Sequence, residues 1–527
     1  MKRRGLLAAA AAVPFLPRGA AAQAQGRTLS IAVGGAFSSI DPHFHALTPN
    51  GAVNQHIFDR LVHSDENFRM VPGLAHSYEA ISPTTWEFRL RRDVTWHDGS
   101  PFTAADVAFT FERVPTVRNS PSNFTIYTRP VQRLEIVDSH TVRMHTEAPN
   151  PLVPNLMQGL AIISRRHAAS GDTADFNSGR AAVGTGPYRF VSYAPGDRVV
   201  MERNPAWWGE RQPWDRVIYR MITNDAGRIA ALLAGDVDVT DAVSTRDVER
   251  LRASGRVSVV SVPALRNIYL YLDHQRDDTP GVTGPNGERL PRSPLRDNRV
   301  RTALSIAINR DAIVRQVMGG HASASGQLLA AGVMGHDPEL RPAPFDPDRA
   351  RRLLAEAGYP NGFRVVLAGP NDRYVNDAQI VQAISQMWTR IGVRAEPEIM
   401  PSNVFFTRSA RNEFSIGLLG WGTGTGEPDS PLTALIATPD PTRGRGTANR
   451  SLYSNPEFDA VLDRALSTLD VAEREALYRQ ATRIAMADHA IIPLHHQVNM
   501  WASRSAVRVT PRNDERTMAM EMRPAVL

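Results

Sequence analysis

Hydrophobic and polar positions change period along the chain, and the changes mark out its elements. Trp86, Phe88 and Leu90 alternate with Glu87, Arg89 and Arg91, the period of two expected of a strand with one buried face. Asp98-Gly99 then marks a tight turn and a short strand, and Thr103 is placed to cap a helix carrying Val107, Phe109 and Phe111. Thr28 to Val33, Leu134 to Val137 and Thr141 to His145 alternate in the same way. Further on, the spacing becomes i, i+3, i+4. Helices are predicted after Asp297, after Asp346-Pro347 and over Asp377 to Ile391, where Gly392 stops the run. Asn455-Pro456 opens another, and Ala472 to Met486 forms one more. Strands at Arg364 to Leu367, Val393 to Glu396 and Ser415 to Leu419 alternate with these helices, so this half reads as α/β.

The first residues follow a different logic. Lys2, Arg3 and Arg4 precede an apolar run from Leu6 to Leu16, and Ala20-Ala21-Ala22-Gln23-Ala24 offers small residues for cleavage, the pattern of an export signal over 1–24. Arg3-Arg4 fits a twin-arginine signal as well as an ordinary n-region. No other stretch approaches the roughly 18 apolar residues of a membrane span. The chain of 527 residues has no cysteine, which excludes disulfides, thiolate metal sites, a cysteine nucleophile and a lipid-modified cysteine anchor. A periplasmic protein, signal cleaved and not a lipoprotein, is the expectation. The net charge of +6 shrinks once Lys2, Arg3, Arg4 and Arg18 leave with the signal, so it gives no argument for a nucleic-acid partner. The length asks for more than one core.

The stretch from Ala75 through Val107, with Leu90, Arg91, Trp96, Asp98, Gly99, Phe102 and Asp106, resembles the signature of the extracytoplasmic substrate-binding proteins of peptide and nickel-type ABC transporters. Val183-Gly184-Thr185-Gly186-Pro187-Tyr188-Arg189-Phe190 and Asn204-Pro205 with Trp207-Trp208-Gly209 look like two more signatures of this family. The glycines of the former lack the Gly-Lys-Ser/Thr of a phosphate loop and lead into a strand, so they are read as structural turns. The resemblance implies an α/β, two-lobed periplasmic binding protein clamshell, type II-like and of the large peptide-binding class, with an extra small domain inserted in the first lobe. The boundaries it suggests are 25–70, 179–270 and 496–527 for the first lobe, 71–178 for the inserted domain and 271–495 for the second lobe. The chain is expected to cross between lobes near Tyr269 to Asp273 and Ile491 to His495.

The function implied is capture of a peptide, peptide-like or other small polar solute, delivered to the transmembrane subunits of an ABC permease driven by cytoplasmic ATPase subunits. A monomer without cofactor or metal is expected. No GxSxG, HExxH or Walker pattern argues for an enzyme, although a periplasmic hydrolase, or a chaperone or receptor module on the same fold, is the alternative. His43, His45, His56 and His63 lack the spacing of a metal helix motif.

By the same resemblance, the ligand-binding candidates are Thr48 and Asn50 in the first lobe, Phe124 and Tyr127 at the rim, Arg373 as a carboxylate fork, Trp421, Gly422, Thr423 and Gly424 at a strand end, and Asn449 with Arg450. Peptide-binding members place an aspartate three residues after the tryptophan to hold the ligand's α-amine. Here that position is Gly424, which argues against amine anchoring unless Glu427 or Asp429 substitutes.

Overall fold

The computed structural model describes residues 26–121, 124–169, 171–423 and 426–525. The expected signal over 1–24, and Gly424, lie outside the described residues. Two long strands, Val257–Leu272 and Ile491–Arg504, pair antiparallel over most of their length and occupy the middle of a 12-stranded sheet. On one side the sheet continues through Val239–Thr240, Thr28–Val33, Arg216–Met221, Arg198–Arg203 and Tyr188–Ala194; on the other it continues through Ile416–Trp421, Phe363–Pro370 and Val282–Thr283. Parallel pairing of Thr28–Val33 with Arg216–Met221, and of Phe363–Pro370 with Val393–Met400, gives each side an α/β core.

Alternation decides what each face of Val257–Leu272 touches. Ile268, Leu270 and Leu272 enter a core with Leu304, Leu367 and Trp388, whereas Tyr269 and Tyr271 enter another with Phe405, Phe458 and Tyr478. A strand buried on both faces reads as one apolar run, as Ile268 to Leu272 does. At the far side, Leu29, Ile31, Phe58, Tyr219 and Trp501 form the first-lobe core. The helix starts follow the capping signals: Asp346 accepts from the Arg349 N–H at 2.8 Å ahead of Pro347, and Asn455 does the same for Glu457 at 2.9 Å.

The inserted region is a four-stranded antiparallel sheet, in the order Ala75–Ser82, Thr85–Leu90, Thr141–His145, Arg133–Asp138, with its own core around Phe88, Trp96, Phe102 and Met144. Asp106 accepts the Thr103 N–H at 3.0 Å and starts the helix Ala104–Arg113. Gly99 takes φ 86 in the turn. The short strand expected after that turn is only one bridge, Thr95 to Pro101, because Phe102 already turns inward to meet Trp96.

The two remaining signatures converge on one buried carboxylate. Asp59 accepts from Thr185 Oγ1 at 3.1 Å, Trp207 Nε1 at 3.3 Å and Trp208 Nε1 at 2.8 Å. Burial alone would raise its pKa, yet His63 and these donors hold it below the usual carboxylate range. A Cβ at Gly184 would stand 1.7 Å from the Ile57 carbonyl oxygen, so the glycine there permits close backbone approach. The turns are structural, as expected.

Candidate functional site

Between the two lobes, beside the long strand pair, lies a cavity of about 450 Å³, within the usual range for small-molecule sites. Its second-lobe wall begins at the end of strand Ile416–Trp421, where Leu419, Gly420, Trp421, Gly422 and Thr423 line it. Gly420 could not be larger: a Cβ would come within 2.7 Å of Ile268 Cδ1 and 2.8 Å of Tyr374. Trp421 is steadied by Ser430, whose hydroxyl accepts from its indole N–H at 3.4 Å.

Arg373 and Tyr374 come from the loop before helix Asp377–Thr389. The Asp377 carboxylate accepts both of their backbone N–H groups at 3.0 Å, which fixes the loop against the helix start. Tyr374 donates its hydroxyl to the Gly420 carbonyl at 3.3 Å. The Arg373 guanidinium lies 5.2 Å from the Tyr374 ring centroid. Its surface is open to solvent, but the surrounding cleft walls and the neighbouring Arg266 lower its pKa.

The first-lobe wall is made by Thr48, Phe68 and the segment Asn513 to Arg516. Phe68 and Glu515 adopt left-handed backbone, φ 63 and 66, a strained choice for side chains of this size and one that concentrates at functional sites. Glu515 makes two hydrogen bonds with Arg266, and Asp514 is bound by Arg512 at 2.8 Å and Arg516 at 3.3 Å. Burial opposes ionisation of both acids, but the arginines prevail and hold both pKa values down.

The structure brings Thr48, Arg373, Trp421, Gly422 and Thr423 together on one cavity, along with Arg450. The other candidates stand off its wall. Asn50 is buried and ties the turn at Ser38 and Ser39, with its amide donating to the Ser39 carbonyl at 3.3 Å. Phe124 and Tyr127 meet at a tilt, 5.5 Å between ring centroids, in and against the core of the inserted domain, and Tyr127 fits there because a Cβ at Gly159 would overlap its ring. Asn449 donates to the Ala437 and Tyr453 carbonyls at 3.0 and 2.9 Å and so holds the loop that carries Arg450. Glu427 is buried and bound by Arg474 in a two-pronged pair of 3.1 and 3.0 Å.

Sequence reasoning missed Phe68, Arg266, Asp514, Glu515 and Arg516. The one local signal was the charged run Arg512 to Arg516 in a tail otherwise read only as completing the lobe. Among the described residues no group of three or more His, Cys, Asp or Glu is placed to hold a metal ion, and no helix is long and apolar enough to cross a membrane.

Two lobes around a polar-rimmed cavity, joined by a continuous pair of strands, are the architecture of a solute-binding protein. Residues 69–441 match the model for bacterial extracellular solute-binding proteins, family 5, and the chain belongs to that family. It is 29% identical to the glutathione-binding protein GsiB of Pectobacterium atrosepticum over 472 residues, 87% of this chain and 86% of that one. With the heme-binding protein A of Haemophilus influenzae it shares 27% over 481 residues, 86% of this chain and 83% of the other. Among solved structures, HbpA2 from Haemophilus parasuis superposes with a TM-score of 0.81 at 24% identity, covering 95% of this chain and 100% of that one.

Proposed function

We propose that this protein is exported to the periplasm, captures a small solute in the interlobe cavity without transforming it, and presents it to the transmembrane subunits of an ABC importer. The observation that carries the reading is Arg373 on the cavity wall, whose guanidinium has no carboxylate within 4.0 Å among the described residues, opposite acids already committed to arginines. A guanidinium fork suits a carboxylate. Asp514 and Glu515, the two acids lining the cavity, are bound by Arg512, Arg516 and Arg266, and Glu427 is held by Arg474, so a ligand ammonium would have to displace an existing pair. The solute is therefore an acid held through its anionic group, with Trp421, Gly422 and Thr423 offering an apolar wall and backbone groups. Glutathione, named for a relative, carries acid groups and belongs in the first panel.

The test is mass spectrometry of whatever co-purifies with the mature protein, followed by calorimetry with peptides and their N-acetylated forms. An unaltered small acid, bound equally well with its amine blocked, supports the reading. A thousandfold loss on acetylation, about 4 kcal/mol, overturns the acid-anchored mode, and steady conversion of the solute overturns the binder in favour of a hydrolase.

A further inference from the structure

Four arginines line the cavity, Arg266, Arg373, Arg450 and Arg516, against two acids, Asp514 and Glu515. The pairing is unequal. Arg266 takes Glu515 and Arg516 shares Asp514 with Arg512, all on the first-lobe side or at the crossing. Arg373 and Arg450, both from the second lobe, have no carboxylate within 4.0 Å among the described residues. The Arg450 guanidinium donates one long hydrogen bond, 3.3 Å, to the Thr447 carbonyl.

These two cations occupy different parts of the wall. Arg373 stands over Tyr374 and beside Arg266 and Glu515. Arg450 stands within electrostatic reach of Tyr269 and Tyr271, and Tyr269 also lies within reach of Tyr374. Tyr269 and Tyr374 line the same cavity as both guanidinium groups. At the Arg450 end, Ser409 lines the cavity and its hydroxyl meets the Tyr271 hydroxyl at 3.1 Å.

A cleft that closes on its ligand removes water from whatever cations it encloses, and an unpaired enclosed cation is costly. Two unpaired cations ask for two anionic groups. Resting on the acid-anchored reading above, we infer that Arg450, with the Ser409 hydroxyl, is a second anion anchor, so that the cavity takes a diacid whose spacer lies along Tyr374 and Tyr269. Arg373 alone would accept any acid; the second anchor sets a preference for two acid groups at a fixed separation.

The test uses the full mature chain and straight-chain dicarboxylic acids of graded length, each beside its own monoamide, titrated by calorimetry into the wild type, Arg450→Gln, Arg450→Lys and Arg373→Gln. Over one window of lengths the diacid binds at least tenfold more tightly than its monoamide. Arg450→Gln brings the two within twofold, Arg450→Lys retains part of the preference, and Arg373→Gln weakens both. A diacid and monoamide of equal affinity at every length, or a preference that survives Arg450→Gln, withdraws the second anchor and leaves the single-acid reading standing. Absence of binding by either series withdraws both.

Discussion

Arg266 and Glu515 meet in two parallel hydrogen bonds of 2.8 and 3.0 Å across 249 positions of chain, one from the long crossing strand and the other from the C-terminal tail. The pair closes the first-lobe wall of the cavity and keeps Arg266 from acting as a free anion anchor. Glu515→Gln leaves a mostly buried guanidinium facing a neutral amide, and a loss of roughly 2 kcal/mol in urea unfolding is expected, because Glu515 keeps partial solvent access. Burial would raise the Glu515 pKa, but Arg266 lowers it below its ordinary 4.5. Its contribution is therefore complete above that value and is lost as pH falls through the lower folded one. Unchanged stability in the variant at neutral pH would contradict the pairing.

His56 links the first-lobe helix to the tail: its Nδ1 donates to the Ala52 carbonyl at 2.9 Å, and its Nε2 accepts the Ala519 N–H at 2.9 Å. Complete burial pushes its pKa down to about 4. The unfolded chain, with a pKa near 6.5, binds the proton first, so stability declines as pH falls from 7 toward 4. From pH 7 to 5 this one group accounts for about 2 kcal/mol. In His56→Gln the wild-type loss of stability between those two pH values shrinks by about that amount; an identical loss would mean that His56 is not held neutral.

The elements that were legible in the sequence are those whose signals are local. The strand Thr28–Val33, the capped helix after Thr103 and the helices opened by Asp346-Pro347 and Asn455-Pro456 carry their period and their cap within a few residues. Trp421 to Thr423 and Arg373, on the second-lobe wall of the cavity, were named through the family resemblance, which puts ligand contacts at a strand end and before a helix. The first-lobe wall is built otherwise. Phe68 and Glu515 reach the cavity through left-handed backbone, and Arg266 is defined by a partner 249 positions away, which no window of sequence contains. Asn50 and Asn449 show the converse: the polar residue is near the right place in the chain, but its amide is used up on backbone carbonyls.

Gly417 is a point where the core and the Arg450 end of the cavity depend on one another. It sits opposite Tyr271 in the antiparallel register, and a Cβ there would fall 2.5 Å from the Tyr271 ring and 2.6 Å from its hydroxyl oxygen. Gly417→Ala must push Tyr271 away from Ser409, at a cost of about 1 to 3 kcal/mol in stability. Because Ser409 lines the cavity, binding of the co-purifying solute weakens as well. Tyr271→Phe removes only the hydroxyl and separates the two effects: it should alter binding more than folding. If Gly417→Ala unfolds at the wild-type urea midpoint, the tight contact at this position is refuted.

The strand pair Val257–Leu272 and Ile491–Arg504 is also where the lobes should move. Both strands contribute to cores on either side of the cavity: Val257 and Met500 pack in the first lobe, and Leu270 and Ile492 in the second. Their register breaks between Pro263 and Asn267 and again between Ile268 and Tyr269. Irregularities of this kind interrupt the ladder and let a strand bend. The first of these breaks spans Leu265 and Arg266 and the second ends at Tyr269, all three of which line the cavity, so a ligand touching this wall contacts the bending point itself. Rotation about it would swing Arg373 and Trp421 toward Thr48 and Phe68, the closure that lets a binding protein signal occupancy. Small-angle scattering should therefore show a smaller radius of gyration at saturation with the co-purifying solute than after its removal, and Arg373→Gln at the same solute concentration should stay extended. An identical radius with and without bound solute, at occupancy verified by calorimetry, would rule out closure at this strand pair.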